Sequence, residues 1–327
     1  MFDGGMTMSF HTVNCPSVLL SNLDKNKTQY RARTSPSLVV QPFSFQAQIY
    51  ESRNLSESKK FSGSATALMR CHSSKSLNKA NTVGIIGGVS VSSTLSFLEK
   101  LARWSSRDAK ECVPFVFCCD PELKNELFHS LKRTTAQIKL NHGLIVENLL
   151  HQRSFVEQSG ARCIVMPCHV SHAWHGDISE GCSVPFLHIG ECVTRELKEA
   201  KLKPLETGSG VRIGVLTTHE TFTAGIYQEK LQSQGFEVVL PDTATKEHII
   251  IPIIETMNRG DMEGARNLLR IAIHVLSIRA VNTVILASDE MQDLLPHDDP
   301  LLKKCINPMD ALARSTVKWA RSNKMVH

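Results

Sequence analysis

Nowhere in the 327 residues is there a run of about 18 apolar side chains, so no membrane-spanning helix is expected. No two of the ten cysteines form a CxxC pair, and they are scattered along a chain dominated by strand-like and helix-like patterns. They read as reduced thiols in a reducing compartment, not as a disulfide scaffold. Acids are scarce at one end only. Residues 1–80 hold 4 Asp and Glu against 10 Lys and Arg, whereas the remainder is balanced at 28 against 27. The body therefore lacks the clustered cations that neutralise phosphates, which argues against a nucleic-acid partner.

The acid-poor segment is also rich in Ser and shows no sustained periodicity, as in Tyr30 to Ser37 and Cys71 to Ser76. That is the composition of an organellar transit peptide. It is plastid-like and not secretory, because no compact apolar core follows a basic start. The expected location is the chloroplast stroma, the alternative being an ordinary disordered tail. The leader is expected to end between Arg70 and Ala80.

With 42% apolar residues, the rest is long enough for two globular domains of ordinary size. Thr82 to Ile86 reads as a strand. It ends in Gly87 and Gly88, and Ser92 or Ser93 is placed to cap a helix carrying Leu95, Leu98 and Leu101. The glycines do not satisfy GxGxxG, so no dinucleotide cofactor is expected. Val113 to Cys119 is the second strand, about Thr134 to Gln158 a long helix, and Cys163 to Met166 a third strand cut off by Pro167. Val184 to Leu187 follows. The pattern then restarts: Val211 to Leu216 is a strand, Phe236 to Leu240 another, two helical stretches cover about Lys246 to Asn258 and Asp261 to Ser277, and Thr283 to Ala287 is a strand. The segment from Ile306 to Arg321 is expected to return to the first half. Strands alternating with helices give an α/β fold of two similar domains, each a short parallel sheet flanked by helices, with the site in a cleft between them. The expected division is a leader over 1–80, a first domain over 81–190 plus 307–327, and a second over 191–306.

Each half then has a strand whose carboxyl end carries one small polar atom, the sulfur of Cys168 and the hydroxyl of Ser288. Ligands of open α/β sheets bind outside the carboxyl ends of the strands, so these two positions are expected on opposite walls of the cleft. Cys168 is expected to be the most reactive thiol of the body, since the other body cysteines sit within strands or helices.

Three stretches are similar to the aspartate/glutamate racemase family. They are Met166 to Ala173, around that family's first catalytic cysteine; Leu216 to Thr221 with Gly225 to Tyr227, its second-domain threonine loop; and Asn307 to Asp310. The resemblance implies a cofactor-independent racemase or isomerase acting on aspartate, glutamate or a related small carboxylate. It places the base or acid at Cys168 and, on the second wall, Ser288. By the same resemblance His169, Val170, Thr217, Thr218, Thr221, Asp289 and Glu290 contact the substrate. No metal and no cofactor are implied, the partner is a small carboxylate or amino acid, and a homodimer is left open.

The departures from the family pattern sit at the site itself. Ser288 stands where the second cysteine is usual, His169 and Val170 where Asn and Thr are usual, and Asp120 where an Asn precedes Pro. The glycine turn reads Gly87 to Ser90. A serine hydroxyl is a far weaker base than a thiolate, and no partner is evident for it in sequence. Two further readings follow: a carboxylate-binding protein without turnover, and one-thiol chemistry such as decarboxylation followed by protonation. His169, His172 and His175, three residues apart, sweep roughly 120° of a helix, wider than a compact metal site, and do not form HExxH. His172 is expected to be a family histidine and the other two to be partly exposed.

If the leader carries address and no fold, a chain beginning at Asn81 melts at the same temperature as the full-length protein. A large drop in melting temperature would show instead that the first 80 residues pack on the body.

Overall fold

The computed structural model describes residues 79–106, 112–120, 123, 135–218 and 220–324. The leader expectation falls almost wholly on residues 1–78, outside the described residues.

Eight short strands form two four-stranded sheets with the same plan. The first contains β1 (Val83–Ile86), β2 (Phe115–Cys118), β3 (Cys163–Val165) and β4 (Phe186–Leu187), in the order β2-β1-β3-β4. The second contains β5 (Arg212–Leu216), β6 (Glu237–Val239), β7 (Thr283–Leu286) and β8 (Cys305–Ile306), in the order β6-β5-β7-β8. Every pairing is parallel. Parallel strands need crossover helices that cover the sheet faces, which is why the central strands read as unbroken apolar runs.

The alternation within those runs positions the two sheets. Val83, Ile85 and Val165 of the first sheet join Ile213, Val215, Ile285 and Ala287 of the second in one shared core. The intervening residues point away from it. Ile86, Ile164 and Met166 pack on the Thr135–Gln158 helix through Ile145, Leu149 and Val156. Leu216, Val284 and Leu286 pack under the Ile251–Asn258 and Met262–Ile278 helices through Ile253, Leu269 and Ile273. A one-residue slip of any central strand would exchange these faces, so the shared core fixes register and keeps both sets of strand ends together.

The last helix, Pro308–Lys324, returns to the first half. It packs on the Val91–Ser106 and Ile189–Glu199 helices. Asn307 caps it by accepting from the Met309 N–H at 3.0 Å, and Pro308 follows where a missing N–H costs nothing. Buried Lys100 joins the halves, donating to Asp293 at 2.8 Å in the loop after β7 and to Asp310 at 3.4 Å in the last helix. The Ile189–Glu199 helix runs across residue 190, where the sequence placed a domain division.

Several boundaries differ from the sequence reading. The first helix starts at Val91 and is capped by Ser90, whose hydroxyl accepts from the Ser93 N–H at 3.2 Å, so neither Ser92 nor Ser93 is the cap. The turn at Gly88, with φ +60°, ends early enough to place Ser90 there. Strand β2 begins after Pro114, which has no N–H to give a ladder, and Cys119 lies just past its end. The stretch Lys246–Asn258 is not one regular helix: a π-turn spans Lys246–Ile250 before the Ile251–Asn258 helix, next to Pro252, which cannot donate back to residue 248.

Three histidines from separate segments pack ring on ring beneath the loop that follows β3. The His172 centroid lies 4.9 Å from that of His188 and 5.6 Å from that of His175, and the last two are 4.7 Å apart. His172 Nε2 donates to the Met166 carbonyl at 2.9 Å, while His188 Nδ1 accepts from the Gly190 N–H at 3.1 Å and caps the helix that follows. Burial, then mutual proximity, holds them neutral: His172 is pushed well below its ordinary value and His188 down to about 4, the latter against the opposing pull of Glu191 and with Lys230 nearby. His175 is lowered too, mainly by burial.

A folded state that refuses protons the unfolded chain accepts loses stability as pH falls below the unfolded value, here about 6.5. The contribution is complete above that pH and drains away towards pH 4, the value to which His188 is lowered. Denaturant titrations at neutral and mildly acidic pH are expected to show a falling midpoint. His188→Gln, which removes one of the three groups, flattens that slope.

Candidate functional site

The sulfur of Cys168 sits one residue beyond Pro167 and three beyond the end of β3. It is fully buried, against the turn after β1. A Cβ on Gly88 would come within 2.7 Å of both the Cys168 Cβ and the Ser171 Oγ, so only glycine lets the two loops close in this way. Burial and the charge of Asp289 push the thiol up to about 11. Three donors oppose them, namely the Ser171 hydroxyl, the Ser171 N–H and the Val89 N–H. The resting group is therefore a thiol, with donors already in place for the thiolate it becomes when it gives up its proton.

This corrects the reactivity expectation. The local pattern of a strand end suggested an accessible thiolate, but the short helical turn Val170–Trp174 folds back over the sulfur, and among the described residues Cys112 is the exposed thiol. The other cysteines near the site are no more acidic. Cys119 is raised to about 11 and Cys163 to about 12, mainly by burial.

The second wall follows β7. Ser288 is buried and donates to the Glu290 carboxylate in a short contact, which leaves its oxygen to accept from Thr218 at 3.0 Å. Glu290 lies 3.3 Å from the same Thr218 hydroxyl, as an alternative acceptor for its one proton. The sequence showed no partner for Ser288; the fold supplies Glu290, two residues on, and Thr218 from the end of β5. Thr217 is buried beside them. Thr221 lies in the Glu220–Gln232 helix, but its side chain is outside the described residues. Val170 is half-buried and packs on the outer cluster of the first half.

His169 and Asp289 connect the walls. His169 is 1% exposed, contrary to the expectation of partial exposure, and its Nδ1 lies 2.6 Å from Asp289 Oδ1. Although burial pushes Asp289 up, the contact with His169 outweighs it, helped by the Ser93 hydroxyl and the His169 N–H, and the carboxyl stays below its ordinary value. Gln292 donates to the same carboxylate at 3.2 Å. Ser171, Ser93 and Gln292 carried no sequence motif and were missed. The His169–Asp289 pair had a signal: each falls one residue after an expected site position, and the two are complementary.

Two surface hollows lie elsewhere. One, of about 230 Å³, is lined by Lys100, Arg103, Asp293 and Asn307 among others, and one of about 370 Å³ by Arg195, Lys198 and Lys230. Neither is lined by Cys168 or Ser288. The loops are closed around the sulfur in this structure.

Comparison with known proteins agrees with this arrangement. The chain is 24% identical over 166 residues to the broad specificity amino-acid racemase RacX of Bacillus subtilis (strain 168), an alignment covering 49% of this chain and 64% of the relative. The chain thus spans less than two thirds of that protein's length. An aspartate racemase homologue from Pyrococcus horikoshii OT3 superposes with a TM-score of 0.59 at 21% identity, over 74% of this chain and 99% of that one. The Picrophilus torridus aspartate racemase gives 0.55 at 23% identity, over 73% and 94%. These likenesses establish the same two-sheet α/β fold. Residues 86–316, nearly the whole body, match the Asp/Glu/Hydantoin racemase family, and the chain belongs to it.

Proposed function

We propose that this protein moves the α-proton of a small acidic amino acid or related carboxylate without pyridoxal phosphate, with Cys168 as the proton-carrying group. The observation that supports the reading most is the setting of that sulfur: a buried thiol at a strand end, faced by three donors that stabilise its thiolate. Inverting Cα requires a base on one face and a proton donor on the other. A thiol pushed up to about 11 is the donor of such a pair at neutral pH, and it becomes the base for the reverse direction once it has given up its proton. Thr217, Thr218 and Glu290, at the ends of β5 and β7, are the candidates to hold the substrate's carboxylate and amino groups as negative charge spreads from Cα. The leader's composition supports action in the plastid stroma.

A second reading rests on Ser288. A site with one thiol is sufficient where carbon dioxide leaves first, because the enolate that remains needs a proton on one face only. Carbon dioxide release from α-substituted malonates, without exchange of any amino acid, is its expected signature.

The test is a panel of D- and L-amino acids in deuterated water, scored separately for Cα exchange and for inversion. Cys168→Ala is expected to lower inversion by about 10² to 10⁴, the usual worth of a positioned acid or base. Inversion at the wild-type rate in that variant would remove Cys168 from the mechanism. Iodoacetamide gives an independent check on the protonation state. At neutral pH it is expected to label Cys112 first among the body cysteines, and Cys168 only in denaturant or at strongly alkaline pH.

A further inference from the structure

The imidazole of His169 has a nitrogen with nothing to do. Its Nδ1 meets Asp289 Oδ1 at 2.6 Å, and the same carboxylate is held by the Ser93 hydroxyl and by the His169 N–H. An ionised carboxylate only accepts, so Nδ1 carries a ring proton, and it is the neutral form of the ring that has its lone pair on Nε2. That Nε2 is buried and has no hydrogen-bond partner among the described residues. Tyr227 lies beside the ring, with centroids 6.2 Å apart, and its own hydroxyl is also buried and unpartnered.

The position of the ring is as informative as its tautomer. His169 directly follows Cys168 in the chain, and Asp289 directly follows Ser288. The pair therefore fastens an imidazole of the first wall to the second wall, one residue from the serine that stands where the family has its second thiol. A carboxylate that fixes the tautomer and orientation of a histidine, leaving its far nitrogen free, is the arrangement that makes imidazole a general base in hydrolytic triads.

We propose that His169, oriented by Asp289, is the second acid–base residue of this site, taking the place of the thiol missing at position 288. The inference rests on the reading of Cys168 given above. In one direction Nε2 removes the α-proton; the C–H electron pair passes into the enolate-like intermediate, and the Cys168 thiol delivers its own proton to the opposite face. The substrate has then lost one proton and gained one. The enzyme holds an imidazolium and a thiolate, with the same total charge as the imidazole and thiol it began with. The reverse direction uses that pair with the roles exchanged. Asp289 touches no reacting atom and is a positioning residue.

Each enantiomer of aspartate and glutamate, offered separately to the full-length protein in deuterated water, tests this. Wild type is expected to invert at least one pair. His169→Gln is expected to lower inversion by about 10² or more in both directions, because the base of one and the acid of the other are lost together. Asp289→Asn lowers kcat in the same sense with KM little changed. Adding Ser288→Cys to His169→Gln returns a thiol to the second wall and restores inversion, a rescue that a purely structural role for His169 would not give. Inversion by His169→Gln within threefold of wild type overturns the proposal and leaves Cys168 in place. Failure of the wild type to exchange any of the four overturns the reading of the site itself, and the proposal falls with it. Should His169→Gln not fold, the long-range ¹H–¹⁵N spectrum of histidine-labelled wild type decides. A protonated Nδ1 and bare Nε2 at His169, assigned by its displacement in Asp289→Asn, is the expected result, and a proton on Nε2 overturns the proposal.

Discussion

Two parallel sheets of four short strands cannot stand alone, because every central strand is apolar on both faces and each face has to be covered. The shared core meets that constraint by using the inner faces of both sheets at once, through Ile85, Val165, Val215 and Ile285. Helices cover the outer faces. Once the sheets share a core, the loops after β1, β3, β5 and β7 come together at the carboxyl ends of the strands. Those loops carry polar backbone into a buried place, and each has to find its hydrogen bonds there. Ser171 meets the Val89 N–H, His172 the Met166 carbonyl, and Ser90 the Ser93 N–H. Satisfying those groups ties the loops to one another.

The same constraint decides what the side chains can be. A thiol surrounded by β3, the Val170–Trp174 turn and the Gly88 loop is shielded from water, and it sits close enough to Asp289 for the two negative charges to oppose one another. Asp289 keeps its charge because His169, Ser93 and the His169 N–H are in contact with it. Of two neighbouring groups that could ionise, the one with more hydrogen-bonding partners does so, and the other stays neutral. A second anionic group facing the same space would meet the same opposition, whereas the Ser288 hydroxyl adds no charge and donates to Glu290.

Much of this architecture was legible in the chain. Apolar runs closed by glycine, proline or a small polar residue located β1, β3, β5 and β7, and the restart at Val211 exposed the repeated plan. The end positions Cys168 and Ser288 followed from strand ends alone. Less legible were the two-residue strands β4 and β8, too short to show alternation, and the π-turn before Pro252. The accessibility of Cys168 was misread because burial of a loop residue is set by what folds over it, here a turn closed by Gly88 and Ser171, and no window around position 168 contains that information. The His169–Asp289 contact spans 120 residues, so neither member announces the other. Only their matching places, each immediately after a site residue, connect them in sequence.

Protonation bookkeeping across the whole site gives the arrangement its chemical sense. An acidic amino acid, the substrate class proposed above, carries negative charge, and removal of its α-proton adds more at Cα and its carboxylate. Were Cys168 a thiolate at rest, it would add a second charge beside Asp289 in a closed, poorly hydrated space, where like charges repel strongly. The proposed reacting pair, a thiol and an imidazole with a bare Nε2, avoids that. Charge then appears only as the proton moves, as an imidazolium held against Asp289 and a thiolate held by Ser171 and Val89, each beside the partners that stabilise it. Ser288, where a two-thiol design has its second cysteine, adds no charge to the resting site.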